Sequence, residues 1–324
     1  MKAGYSKIDI TPPLGSNLNG YYRERYEDHV IKPLYVTTVA YTDGANTILT
    51  ISLDISEILQ KDTDDIRSKV SKATGVAFEG VFIACIHTHT APVISEIRSF
   101  FTRDEDYYRQ FCSKICQSAI EAIADMKEAT ASYSRGIAEG ISFVRRFRKK
   151  DGTAVTNPKL EIMDQIQGPI GQPDESVTLI KLERAEDSEI LIVNFATHPD
   201  VIGGTGICPD WPGFMRDAVE ASLSDSANGK GVKVIFFNGA QGDVNHHDKM
   251  NGIVRKGVKH SRHMGLVLAG AVLSCYSYTT PIRADKVFFK QTMTAVQVAK
   301  GTDEQVRIAH EIQNKYLKYE DISS

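Results

Sequence analysis

The chain of 324 residues is long enough for one large domain or two, and 42% hydrophobic against 24% charged residues is the balance of an ordinary folded protein. That balance excludes a disordered, collagen-like or disulfide-scaffold chain. The 38 basic and 41 acidic residues leave a net charge of -3, without the cationic excess that drives sequence-independent phosphate binding, so nucleic acid is not an expected partner.

Residues 1–13 lack the apolar core of a secretory signal and turn at Thr11-Pro12-Pro13. A cytoplasmic location is the expectation, or a secreted one had a signal peptide been removed. The next apolar runs, 47–54 and 80–87, read as buried strands, with amphipathic helices at 62–73 and 104–128 beside them. Residues 141–174 are basic at Arg145, Arg146, Arg148, Lys149 and Lys150, then rich in Gly and Pro, and read as an excursion over one face. Buried strands follow at 189–198 and 232–238, and helices at 212–224, 257–277 and 303–318. The pattern predicts an α/β fold in which mixed β-sheets are flanked by helices, as a single large domain over 1–324. No apolar run reaches the roughly 18 residues that a transmembrane helix needs.

Ligands of α/β sheets bind outside the carboxyl ends of strands, so Asp54, His87, His89, His198 and the loop after Asn238 are expected around one cleft. His87-Thr88-His89 follows a strand, and on a regular strand residues two apart face one side. The motif suits a metal and equally a hydrogen-bonded histidine pair at a strand end. His198, ending a different strand, strengthens the metal reading, because zinc takes neutral imidazole from more than one element. The loop 238–247 bears glycines and many polar side chains but lacks the GK[ST] of a phosphate-binding loop. His260 and His263, at i and i+3, could chelate a metal but read better as the start of a packed helix. The five cysteines (Cys85, Cys112, Cys116, Cys208, Cys275) contain no CxxC pair and read as reduced, mostly buried thiols, with Cys112 and Cys116 on one helical face.

Seven runs, taken together and in order, resemble the N-terminal catalytic domain of the neutral/alkaline (non-lysosomal) ceramidase family. They are AGYSKIDITPP (3–13), IHTHTAP (86–92), VRRFRKKDGTAVTNP (144–158), GPIGQPDESVTLIKLE (168–183), NFATHPDVIGG (194–204), CPDWPGFMRDAVE (208–220) and NGAQGDVN (238–245). The resemblance is to short bacterial relatives and implies a metal-dependent amidohydrolase acting on a small-molecule or sphingolipid-like amide, with Zn2+ as cofactor. His87 and His198 would be zinc ligands, and His89 would sit beside them or contact substrate. Arg145 and Asp210 would bind substrate, while Asp54, Asp243 and Asn245 would complete the catalytic surroundings. Zinc lowers the pKa of a bound water from about 16 to about 7 and polarises a carbonyl, which is what amide hydrolysis requires.

Three departures qualify what is carried over. Asn245 stands where the family has a catalytic serine, and an amide cannot act as a nucleophile, although it can donate to an oxyanion. Val144 replaces the Asn of an Asn-Arg motif, and Thr90-Ala91-Pro92-Val93 replaces Ser-Gly-Pro-Gly-Gly. Two further family ligands, a glutamate and a tyrosine, would lie downstream of a helix like 303–318; Glu304, Glu311, Tyr316 and Tyr319 lack the turn that marks them. The chain is thus expected to lack the C-terminal end of the family domain. The expectation is hydrolysis of an N-acyl amide or related acyl bond by metal-activated water. The alternatives are an inactive, ceramidase-like binding protein, or a hydrolase of another substrate using another metal with His246 or His247 recruited.

Overall fold

The computed structural model describes residues 1–96, 101–298 and 300–316. Nine strands form its main sheet: β1 (Lys2–Asp9), β2 (Tyr35–Thr42), β3 (Thr47–Leu53), β4 (Val81–Cys85), β5 (Lys127–Ile137), β6 (Ser176–Arg184), β7 (Glu189–Phe195), β8 (Val232–Asn238) and β9 (Thr280–Ile282). The strand order is β8-β7-β6-β5-β1-β2-β3-β4, with β9 paired to β5. The outermost pairs, β3 with β4 and β7 with β8, are parallel, and the pairings between them are antiparallel. The α-helices longer than one turn are α1 (Gln60–Thr74), α2 (Glu105–Ala124), α3 (Trp211–Ser222), α4 (Val258–Tyr276) and α5 (Asp303–Tyr316). The last two residues of the helix expected at 303–318, and Tyr319, lie outside the described residues.

The period-two alternation of the strands sorts their side chains into separate cores. Val36, Ala40, Leu49, Ile51 and Leu53 pack with Ile66 and Val70 of α1 and Phe111, Ile115 and Ala119 of α2. Leu191, Val193, Val234 and Phe236 pack with Trp211 and Met215 of α3 and Leu268 and Val272 of α4. The intervening residues of the same strands, Val39, Ile190 and Ile235, join Ala3, Ala131 and Leu182 in a third cluster. The sheet therefore curls so that its two halves face each other, with a helix pair on each outer side. Cross-half hydrogen bonds seal the fold: Ser52 Oγ donates to the Phe236 carbonyl at 2.6 Å and Asn238 Nδ2 to the Ile86 carbonyl at 3.0 Å. In the second half α3 and α4 cross so closely that a Cβ at Gly265 would lie 2.8 Å from the Trp211 carbonyl oxygen.

Strands 47–54, 80–87 and 189–198 end one to three residues earlier than their apolar runs suggest, because the last polar residues leave the ladder. The expected helix 104–128 stops at Ala124, followed by Asp125 and Met126 and then by β5. Four strands, β1, β2, β5 and β6, are not among those expected from the sequence, and β9 was also missed. KAGYSKID and KEATASYSRGI alternate small and polar residues, so neither has an apolar run. The 141–174 excursion contains a small three-stranded sheet built from 146–149, 154–156 and 166–169. Among the described residues no helix is long and apolar enough to cross a membrane.

Asp54, immediately after β3, is fully buried and receives Arg216 of α3 in a bidentate pair, Nη1 to Oδ1 at 2.8 Å and Nη2 to Oδ2 at 2.6 Å. Asp54 Oδ2 also accepts from the Tyr35 backbone N–H at 2.9 Å. Removing one partner strands a charge in a dry core, so Asp54→Ala or Arg216→Ala should each lower unfolding stability by about 3–5 kcal/mol. The double variant Asp54→Leu/Arg216→Met should recover part of that loss, though not all, since Tyr35 N–H stays unpaired. Urea unfolding checks this, and single variants within about 1 kcal/mol of the parent would contradict it.

Candidate metal centre

The parallel pairs at the two ends of the curled sheet bring the carboxyl ends of β4, β7 and β8 together. β4 stops at Cys85, so His87 and His89 do not share a regular strand face. His87 instead adopts a left-handed backbone with φ 71°, a conformation histidine enters more readily than most residues, and this turns the chain between the two rings. Thr88 and Thr90 anchor the turn by donating through Oγ1 to the Cys208 carbonyl at 2.7 and 2.9 Å. His198 follows β7.

The three rings converge. Nε2 of His89 lies 3.4 Å from Nε2 of His87 and 3.2 Å from Nε2 of His198, and one ring nitrogen of each lies within 4.8 Å of the others. Three imidazole nitrogens bound at about 2 Å around a tetrahedral ion would stand about 3.3 Å apart, so the spacing already present suits a metal. The outer nitrogens are held by backbone: His87 Nδ1 meets the Ser56 carbonyl at 2.9 Å and His198 Nδ1 the Gln241 carbonyl at 3.4 Å. This is the outer-shell arrangement that orients metal-binding imidazoles. His89 Nδ1 lies 3.4 Å from Asp200 Oδ1 without the alignment of a hydrogen bond.

Two of the rings, those of His89 and His198, are kept neutral. Burial, followed by the charges of His198 and His87 and then of Arg25 and Arg145, pulls His89 down to about 2. Burial and then the charges of His87 and Arg145 pull His198 down to about 4, against the Gln241 carbonyl. Burial drives Asp200 up to about 6, partly offset by the Tyr21 hydroxyl that donates to it.

Tyr21, Arg25, Asp200 and Gly20 were not singled out in the sequence. Arg25 stacks on the Tyr21 ring, 4.1 Å to its centroid, and its guanidinium donates to the carbonyls of Asn19, His89 and Gly204. Gly20, at φ 107°, lies where a Cβ would stand 2.7 Å from His89 Cβ. Residues 14–32 show no periodicity, so the only sequence sign was an arginine among tyrosines after Asn19-Gly20.

The remaining expected site residues divide. Arg145 donates through Nε and Nη2 to the Gly242 carbonyl, and with Arg146, Ala154, Thr156, Gly242 and Asp243 it lines a cleft of about 390 Å³. Asp54 is committed to Arg216. Asp210 is fully buried, and its oxygens accept from the backbone N–H groups of Val201, Ile202 and Trp211 and from Ser261 Oγ. Asp210 thus caps α3 and holds the turn at Val201 and Ile202, with both oxygens taken up by these bonds. Asn245 donates through Nδ2 to Asn157 Oδ1 at 2.8 Å and accepts the His247 N–H at 3.0 Å, which joins the 141–174 excursion to the loop after β8.

No family model and no curated protein matches the chain. Among solved structures it is similar to neutral ceramidase from Pseudomonas aeruginosa, with a TM-score of 0.67 and 17% identity over 84% of this chain and 44% of that one. A ceramidase complexed with C2 gives a TM-score of 0.66 at 17% identity, over 84% of this chain and 43% of that one. The chain therefore has a ceramidase-like fold and spans less than half the length of those proteins.

Depressed imidazole pKa values make the metal-free chain acid-sensitive. Between an ordinary 6.5 and their folded values, His89, His198, His246 and His247 refuse protons that the unfolded chain accepts, so stability falls as pH drops through that window. Asp200 acts in the opposite sense between 3.8 and about 6, as one carboxyl against several imidazoles. The thermal midpoint of the chelator-treated chain is expected to fall steadily from about pH 7 to about pH 5. A flat or rising midpoint over that range would contradict the assignment of neutral rings.

Proposed function

We propose that this chain is a zinc-dependent hydrolase of N-acyl amide, ceramide-like, or related acyl bonds. The observation that carries the reading is the convergence of His87, His89 and His198 at the carboxyl ends of parallel strands, in a fold shared with ceramidases. His87 and His198 would hold the ion, and the spacing of His89 Nε2 suits it as a third ligand. When bound, the ion supplies Lewis acidity that polarises an acyl carbonyl and acidifies water.

The chain's own groups do the positioning. Asp200 beside His89 Nδ1 favours a proton on that nitrogen, leaving the Nε2 lone pair turned into the cluster. Arg145, fixed on the Gly242 carbonyl at the cleft, offers positive charge to a developing oxyanion. Asp243 lines the same cleft. Asn245 has one Nδ2 hydrogen left after bonding Asn157, so its part is at most that of a donor.

The test uses the full chain stripped with a chelator and reloaded with zinc, assayed on a panel of N-acyl sphingoid amides, simpler acyl amides and esters. Turnover that requires zinc and disappears in His198→Ala is the expected result. Zinc bound at these histidines with no turnover on any member would favour the non-catalytic binding reading, to which the two side-chain bonds of Asn245 already lend support. With no serine at position 245, turnover should leave no acyl group on the protein. Intact-mass measurement after rapid quench checks this, and an acyl adduct on residues 239–245 would overturn it.

Gly20→Ala supplies a subtler check. The added Cβ must displace His89 and adopt a disfavoured backbone, so zinc affinity is expected to fall about tenfold or more, as when an outer-shell support is lost. Unchanged affinity would mean that His89 is not a ligand.

A further inference from the structure

Beyond that centre lies a second concentration of imidazoles. His246 and His247 follow the short strand Val244–Asn245, and His260 sits in the first turn of α4 with His263 one turn on. Ring centroids are 3.9 Å apart for His246 and His247, 6.0 Å for His246 and His260, and 5.9 Å for His260 and His263. His246 is only 5% exposed, and both of its ring nitrogens are buried without a hydrogen-bond partner; Nδ1 of His247 is likewise buried and unpaired. The Arg255 carbonyl lies near His246 without completing a hydrogen bond to it. A neutral imidazole carries one donor and one acceptor, and leaving both unmet in a dry site is costly.

We propose that His246, His247 and His260 form a second site for a divalent transition metal, separate from the His87, His89 and His198 centre. Three imidazoles on one tetrahedral ion would place ring centroids about 5 Å apart; His246 stands 3.9 Å from His247 and 6.0 Å from His260, and the ring nitrogens of the three do not yet converge as those of the first cluster do. Closing the set requires movement of the half-buried His247 and His260, and His246 serves as the fixed member. Ligands that are all imidazole select zinc, cobalt, nickel or copper over magnesium or calcium.

The scaffold for both centres is shared. His247 N–H is held by Asn245, and the Gly257 N–H that opens α4 donates to the Val201 carbonyl in the turn after His198. The rings are also suited to be ligands, since burial first and neighbouring imidazoles next pull His246 down to about 2. Against the site stand Lys249, Arg255, Lys256 and Lys259, whose positive charges oppose a divalent ion. The second ion should therefore bind more weakly than the first.

Metal stoichiometry of the full chain tests this, by competition against a chromophoric chelator with zinc and with cobalt. The expected result is two ions per parent chain. His246→Ala/His247→Ala should lose the weaker ion, and His87→Ala/His198→Ala should lose the tighter one. A parent chain that binds one ion, lost only on removing His87 and His198, overturns the inference. A single ion lost only on removing His246 and His247 supports it and defeats the assignment of the first centre. Because His246 is buried and its variant could misfold, ring-nitrogen NMR of the parent chain provides a second measurement. A later zinc equivalent should shift the His246, His247 and His260 signals, and their constancy at saturating zinc would overturn the proposal.

Discussion

The bidentate pair of Asp54 with Arg216 joins the two halves of the curled sheet at the level where the chains leave it. Asp54 ends the strand next to β4, and Arg216 belongs to the helix that covers β7 and β8. In a dry interior such a pair is tolerated only when both charges are fully hydrogen-bonded, and here the Tyr35 N–H accompanies the fork. Its geometry therefore restricts how the halves can meet. The Ser52 and Asn238 bonds across the same seam reinforce that register. His87 comes from one half and His198 from the other, so the distance between their rings is a consequence of this closure.

Electrostatics at the cluster follows from its surroundings. Arg25 and Arg145 lie close enough to oppose protonation of His89, and Arg145 also that of His198, while burial removes the water that would otherwise solvate an imidazolium. Both effects keep lone pairs available at neutral pH. The arginines are themselves tied to backbone carbonyls, Arg25 to Asn19, His89 and Gly204, and Arg145 to Gly242. They shape the loops and bias the charge at once.

Much was legible in the residue pattern. Apolar runs at 47–54, 80–87, 189–198 and 232–238 identify β3, β4, β7 and β8, since a short continuous apolar run rich in β-branched residues and bounded by polar turns is a strand signal in itself. Amphipathic periodicity located all five named helices. The polar residues at the ends of the parallel strands pointed to His87, His89 and His198 as neighbours. In the antiparallel centre of the sheet β1 and β5 were hidden because they interleave small and polar side chains, whose strand character depends on the neighbours they meet, whereas β2 and β6 carry β-branched and apolar residues that were open to a strand reading.

The sequence by itself determined the α/β class, four of the strands and the identity of the clustered histidines, because these depend on local periodicity and residue chemistry. Tertiary structure alone decided what each of the polar residues is paired with. Asp54 and Asp210 share the residue type and the strand-end or loop position of a catalytic acid, yet one is claimed by Arg216 and the other by the N-terminus of α3 and Ser261. Tyr21, Arg25 and Asp200 came to the cluster through long-range contacts that no short-range pattern encodes. The pairing of side-chain charges across more than a hundred residues is fixed by how the sheet curls, and that depends on the packing of both helix pairs together.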